Sequence, residues 1–121
     1  MQLVQTCSGE NFGYITGRNL RTFSGYHVGC LVDGEFYGVD GSYLGEFSKT
    51  GRLIFDLSKK QKRRKPFKPH ADKRPLVKCA DLPSVKIPTG FNDFPSATSF
   101  NRRREQKRVE NLLEGYVNSD P

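Results

Sequence analysis

The chain has 121 residues, 35% of them hydrophobic, and twenty Lys and Arg against thirteen Asp and Glu give it a net charge of +7. That suffices for one small domain with a substantial remainder outside its core. No apolar run approaches the roughly eighteen residues of a membrane-spanning helix, and Met1-Gln2-Leu3-Val4-Gln5 has neither the charged nor the apolar region of a cleaved signal, so a cytoplasmic location is expected.

From the N-terminus, Gly-x-x-x-Gly occurs three times at a spacing of sixteen residues, as Gly9…Gly13, Gly25…Gly29 and Gly41…Gly45. The flanks repeat in phase: Leu20-Arg21-Thr22-Phe23-Ser24-Gly25 aligns with Phe36-Tyr37-Gly38-Val39-Asp40-Gly41 and with Val4-Gln5-Thr6-Cys7-Ser8-Gly9. A fixed period marks stacked or radially arranged units. Sixteen residues is too short for a helical repeat and fits two short strands with two tight turns. Ser8-Gly9, Ser24-Gly25 and Asp40-Gly41 predict one set of turns. Thr16-Gly17-Arg18, Asp33-Gly34-Glu35 and Lys49-Thr50-Gly51 predict the other. Leu20–Phe23, His27–Leu31, Phe36–Val39 and Tyr43–Phe47, rich in aromatic and branched residues, read as strands between them. Gly13, Gly29 and Gly45 fall inside strands, where glycine implies a bulge, a bend or a close backbone approach.

Leu53-Ile54-Phe55-Asp56-Leu57 begins a fourth copy, displaced by one residue, but Ser58-Lys59-Lys60-Gln61-Lys62-Arg63-Arg64-Lys65 follows where the glycine pair should stand. The expected fold is therefore mainly β: a small pseudo-symmetric repeat of short antiparallel hairpins over 1–58, about four units with the last degenerate. The repeated hydrophobic-x-x-[Ser/Asp]-Gly-x-x-hydrophobic-Gly unit resembles the bacterial four-fold β-flower proteins. That resemblance covers roughly 1–58, with looser agreement in tail composition from Lys59 to Pro95. It implies four short β units around a pseudo-four-fold axis followed by a Lys- and Pro-rich tail. The family is a fold without an assigned activity, so the resemblance supplies no catalytic residue. The missing fourth glycine pair and the unmatched C-terminal segment depart from it.

Charge divides the chain: 1–58 carry a net −2 and 59–121 a net +9. Half of all basic residues lie between Lys59 and Lys78, opposed there by Asp72 alone. Six of the seven prolines lie between Pro66 and Pro95, which disfavours helix and interior strand. Residues 59–100 are thus expected to form an extended basic arm, with Leu76, Val77, Leu82, Val85, Ile87, Phe91 and Phe94 as anchors on the body or a partner; a disordered linker is the alternative. Beyond it, Val109, Leu112, Leu113 and Tyr116 form an apolar stripe at helical spacing. The expected helix spans 101–116, with Asn101 as N-cap and Gly115 near its end, and 117–121 are a tail. Arg102, Arg103 and Arg104 sit at the positive end of its dipole, an arrangement suited to an anion.

Cys7, Cys30 and Cys79 form no CxxC pair, and their odd number argues for a reduced setting. Cys7 shares its repeat position with Phe23 and Val39 and reads as a core thiol, whereas His27, in the position of Asn11 and Tyr43, reads as a strand-surface residue. His27 and His70 have no further ligand at metal spacing, and no catalytic motif is present, so neither enzyme activity nor a cofactor is expected. Lys59, Lys60, Lys62, Arg63, Arg64, Lys65, Arg102, Arg103 and Arg104 are the candidate anion-contact residues, with Phe67 and His70 as candidates for base stacking. The expected function is a non-enzymatic binding or scaffold module whose basic arm engages nucleic acid or an acidic protein. The alternative is a structural protein that assembles into homo-oligomers through its β edges.

Overall fold

The computed structural model describes residues 1–104. Within them eight strands form one antiparallel meander in chain order: β1 (Gln2–Gln5), β2 (Asn11–Thr16), β3 (Asn19–Thr22), β4 (His27–Val32), β5 (Glu35–Gly38), β6 (Tyr43–Phe47), β7 (Leu53–Asp56) and β8 (Phe91–Asp93). The sheet curls until Thr6, just past β1, bridges Leu53 in β7. The four strands expected between Leu20 and Phe47 are present to within a residue at each boundary.

A bulge recurs at every sixteenth residue. Val4 faces Gly13 while Gln5 faces Asn11, which leaves Phe12 without an opposite number. The same slip leaves Val28 extra between Leu20↔Gly29 and Arg21↔His27, and Leu44 extra between Phe36↔Gly45 and Tyr37↔Tyr43. A bulge bends its strand, and here it turns the extra side chain inward. Phe12, Val28 and Leu44 are buried together with Val4, Leu20 and Phe36 in one core. The interior glycines make the bulge sterically feasible: a Cβ at Gly13 would overlap the Arg21 carbonyl, and one at Gly29 would stand 2.8 Å from the Tyr37 carbonyl oxygen.

Two features lie beyond the local pattern. Phe91–Asp93, placed by the sequence within the arm, form β8 and pair with β7 as Ile54↔Asp93, Phe55↔Asn92 and Asp56↔Phe91. The next residue, Phe94, is 3% exposed and packs edge-on against Phe12 at 5.2 Å and Phe36 at 6.2 Å. The Asp93 carboxylate accepts the Cys7 and Ser8 amides at 2.8 and 3.1 Å, tying β8 back to the chain that follows β1.

The helix, α1, begins at 97 rather than 101 and continues to the limit of the described residues at 104. Its cap is tertiary. Ser96 accepts the Thr98 amide on its hydroxyl, and the Glu10 carboxylate accepts the Ala97 amide at 2.7 Å and the Ser96 hydroxyl at 2.9 Å. A carboxylate at a helix N-terminus is favoured by the dipole, and one supplied from 87 residues away leaves no local signature. Asn101 is consequently inside the helix, where its Oδ1 accepts the Thr22 hydroxyl at 3.0 Å. Phe100 faces Phe12 at 5.7 Å and closes the core. The stripe of Val109, Leu112, Leu113 and Tyr116, Gly115 and the tail 117–121 lie outside the described residues.

Candidate functional site

Four turns of the body share one hydrogen-bond pattern, at Gly9, Gly25, Gly41 and Gly51, and the first three receive the arm. The Gly9, Gly25 and Gly41 amides donate to the Thr6, Thr22 and Gly38 carbonyls, while the Thr6, Thr22 and Gly38 amides donate to Glu10, Tyr26 and Ser42. Each leaves its glycine carbonyl facing out, and the arm takes these up in reverse order. The Arg64 amide donates to Gly41 at 2.8 Å, Lys73 to Gly25 at 3.0 Å and Leu82 to Gly9 at 2.8 Å. Three residues further on, the Phe67, Leu76 and Val85 amides donate to Val39, Phe23 and Cys7 at 3.1, 2.7 and 2.8 Å. The arm is thus a belt, held by two backbone bonds at each of three turns.

A second period accounts for this. The donors recur every nine residues, and so does the sequence: Arg64-Lys65-Pro66-Phe67, Lys73-Arg74-Pro75-Leu76 and Leu82-Pro83-Ser84-Val85, with Ala71-Asp72 and Ala80-Asp81 ahead of the second and third. Proline lies between the paired donors, where no amide is needed. This nine-residue repeat was the signal that a search for charge and proline content passes over. Backbone bonds rather than apolar anchors hold the belt: Val77 is 93% exposed, and Leu76, Leu82 and Ile87 are exposed as well. Phe67 and Val85 are half-buried, Phe91 lies in β8, and Phe94 follows it in the core.

The candidate cations divide into two groups. Lys59 Nζ bridges Glu35 Oε2 and Glu46 Oε1, both at 2.8 Å, and Lys62 Nζ meets Glu35 Oε1 at 2.7 Å. Arg64 pairs with Asp33 at 2.8 Å and lies over the Tyr37 ring. Arg104 grips Asp72 through both carboxylate oxygens and covers Tyr26, while Arg103 lies over Phe100. Lys60, Arg63, Lys65 and Arg102 are exposed and make no ion pair among the described residues. The stacking candidates lie against His27: the Phe67 and His70 rings stand 5.4 and 4.9 Å from its ring, Phe67 half-buried and His70 exposed.

Glu35 is the hub of the paired group. Its carboxylate also accepts the Tyr37 hydroxyl at 2.9 Å, and the hydrogen bonds from Lys59, then Lys62, hold its pKa down to about 2. Tyr43 donates to Glu46 at 2.7 Å and accepts the Asp56 amide at 3.1 Å; burial, then the bond to Glu46, pushes its pKa up. A carboxylate with a depressed pKa stabilises the fold above its unfolded value of about 4.5 and loses that contribution as the pH falls through about 2. Glu35→Gln is therefore expected to cost about 2 kcal/mol at neutral pH, on the scale of hydrogen bonds to charged groups. Urea unfolding should show the variant's deficit shrinking as the pH falls from about 4.5 toward about 2; an equal deficit at both ends would contradict the ion-pair role.

His27 is buried, at 5% exposure, because the belt crosses over it. Cys7 is 1% exposed, as a core thiol should be, and Cys30 is half-buried with Sγ 3.8 Å from His27 Nε2. Burial pushes both thiols up, which keeps them protonated at neutral pH. Between belt and α1 open two shallow clefts of about 290 and 350 Å³, the larger lined in part by His27, Asp40, Ser42, Phe100 and Arg103. No group of three metal-ligating side chains occurs among the described residues, and none of their helices is long and apolar enough to cross a membrane. Compared with protein-family models, curated proteins and solved structures, the chain finds no match.

Proposed function

We propose that the chain is a non-enzymatic binding module, in which a four-unit β body carries its own basic belt and the belt's outward cations engage an anionic polymer. In this reading β7 and β8 make the fourth unit. Ile54↔Asp93 occupies the ladder place of Gln5↔Asn11, Arg21↔His27 and Tyr37↔Tyr43, and Phe94 then falls where Phe12, Val28 and Leu44 do. Such a body is what the β-flower resemblance implies, with the basic arm inserted inside its last unit.

The observation that carries the functional reading is the sorting of charge. Lys59, Lys62, Arg64 and Arg104 neutralise acids of the body and belt, while Lys60, Arg63, Lys65, Lys68 and Arg74 face solvent without a partner acid. Cations unneeded for folding, fixed on a docked backbone, suit contact with successive anionic groups at low ordering cost. With Phe67 and His70 packed on His27, contact through phosphates or carboxylates fits better than base stacking. Nucleic acid is the first partner to test and acidic protein the second.

The full chain is expected to bind duplex nucleic acid with an affinity that falls steeply with salt. Lys65→Ala, Lys68→Ala and Arg74→Ala together should flatten the slope of log K against log salt by about 2 to 3, at about 0.9 per phosphate released, with the melting temperature unchanged. Polarisation titrations over a salt series measure both quantities. Absence of salt-dependent binding to nucleic acid and to an acidic polypeptide alike would end this reading, and a salt-independent oligomer in size exclusion would favour assembly through the β edges instead.

A further inference from the structure

The middle of the belt is held by a side chain that titrates. The His27 ring lies between body and belt: its Nδ1 accepts the His70 amide at 2.9 Å, and its Nε2 lies 3.0 Å from the Gly29 carbonyl oxygen. A ring accepting at Nδ1 and facing a carbonyl at Nε2 carries its single proton on Nε2 and is neutral. We propose that His27 is a proton-sensitive latch, and that protonation of its ring releases the belt between the anchors at Arg64 and Leu82.

The geometry leaves no room for a second proton. A proton on Nδ1 would point at the His70 amide, donor against donor, and would cancel the bond that fixes the belt there. The charges around the ring oppose it as well. From β3, buried Arg21 donates Nη1 to the Gly25 and Ala71 carbonyls at 2.9 and 3.1 Å, spanning the same body–belt seam, and its Nε is buried without an acceptor. From the belt come the rings of His70 and Phe67, and from β4 the neutral thiol of Cys30. Arg103 and Arg104 of α1 and Asp40 line the cleft that His27 also lines; Asp40 is occupied by the Ser42 amide and hydroxyl, and Arg104 by Asp72. The ring therefore faces more cations than anions. Burial first, then Arg21 and His70, hold its pKa below the ordinary value of 6.5.

The direction of the effect follows. A histidine with a depressed folded pKa stabilises the docked state fully above about 6.5, and that contribution is lost as the pH falls through the folded value. The outer anchors have no counterpart that titrates in this range: at the Gly9 turn the belt's Asp81 accepts the Asn11 amide at 3.0 Å, and that bond holds its carboxyl below the ordinary 3.8. Asn11 and Tyr43 take the ladder place of His27 in the neighbouring hairpins, and neither gains a proton in this range. Acid should thus open the middle of the belt while its ends stay bound.

Amide hydrogen exchange by NMR on the full chain, corrected for the intrinsic pH dependence, tests the latch. Between about pH 7.5 and about pH 5 the His70 and Lys73 amides should lose protection by up to about tenfold for each unit below about 6.5, until the lower pKa of the docked ring is reached, while Arg64 and Leu82 keep theirs. His27→Asn retains a neutral acceptor and does not titrate, so its His70 and Lys73 amides should stay protected throughout. His70→Asn keeps the backbone amide that His27 accepts but removes the ring that helps hold the His27 pKa down, so its His70 and Lys73 amides should still lose protection in acid, at a pH no lower than in the wild type. Unchanged protection at His70 and Lys73 in the wild type, or an equal loss in His27→Asn, would overturn the latch. Should His27→Asn not fold, a direct titration of the His27 ring decides: a pKa at or above about 6.5 would also overturn it.

Discussion

Gly25→Ala is expected to destabilise the chain by about 3 to 4 kcal/mol, whereas Gly34→Ala should cost about 1 to 2 kcal/mol. The two glycines have similar backbones, with φ of +91° and +80°, a region where any L side chain is strained. They differ in what surrounds them. A Cβ at Gly34 meets nothing within 4 Å, so only the backbone cost applies. One at Gly25 would overlap the Lys73 carbonyl and crowd Arg74, so the belt must lift and give up the Lys73 and Leu76 bonds, about 1 kcal/mol each. Denaturant unfolding of the pair isolates that second part. Equal losses in the two variants would mean that the belt contributes nothing at this turn. Gly9 and Gly41 offer the same comparison, since their Cβ atoms would overlap the Leu82 and Arg64 carbonyls.

Phe94→Ala should cost about 3 to 5 kcal/mol, the usual range for removing a buried aromatic. Its ring contacts Phe12, Phe36 and Phe100, so the cavity would open in the centre of the body although the residue lies far along the chain. A fragment of residues 1–58 would lose this ring, β8, the Asp93 clamp and Phe100 together, and is expected not to fold cooperatively. Circular dichroism and thermal melting of the fragment and of Phe94→Ala measure both effects. A fragment that melted cooperatively near the full chain's midpoint would show that the first half is self-sufficient.

The sixteen-residue period was legible because a repeated turn constrains the same chemistry each time: Ser-Gly or Asp-Gly at the turn and an interior glycine at the bulge. The role of the turn glycines was only half legible. Positive φ explains Gly9, Gly25 and Gly41 as turn residues, but the second reason for them, room for a belt carbonyl, depends on Leu82, Lys73 and Arg64, none of them a sequence neighbour. β8 escaped because Phe91-Asn92-Asp93 is short and pairs with β7 across the whole belt. The start of α1 escaped because its capping carboxylate is Glu10. The basic run was visible as charge, yet which cations pair with acids depends on where Glu35, Asp33 and Asp72 lie when the belt is docked. His27 read as a surface residue because the segment that buries it is not its sequence neighbour.

The central claim is that the basic belt is docked in register, nine residues of belt to each sixteen-residue hairpin unit. Residue-resolved amide exchange of the full chain near neutral pH measures that register directly. Protection should peak in pairs at Arg64 and Phe67, Lys73 and Leu76, and Leu82 and Val85, with fast exchange at Lys68, Val77 and Lys86, each the residue that follows a pair. Uniformly fast exchange from Gln61 to Lys86 would contradict it.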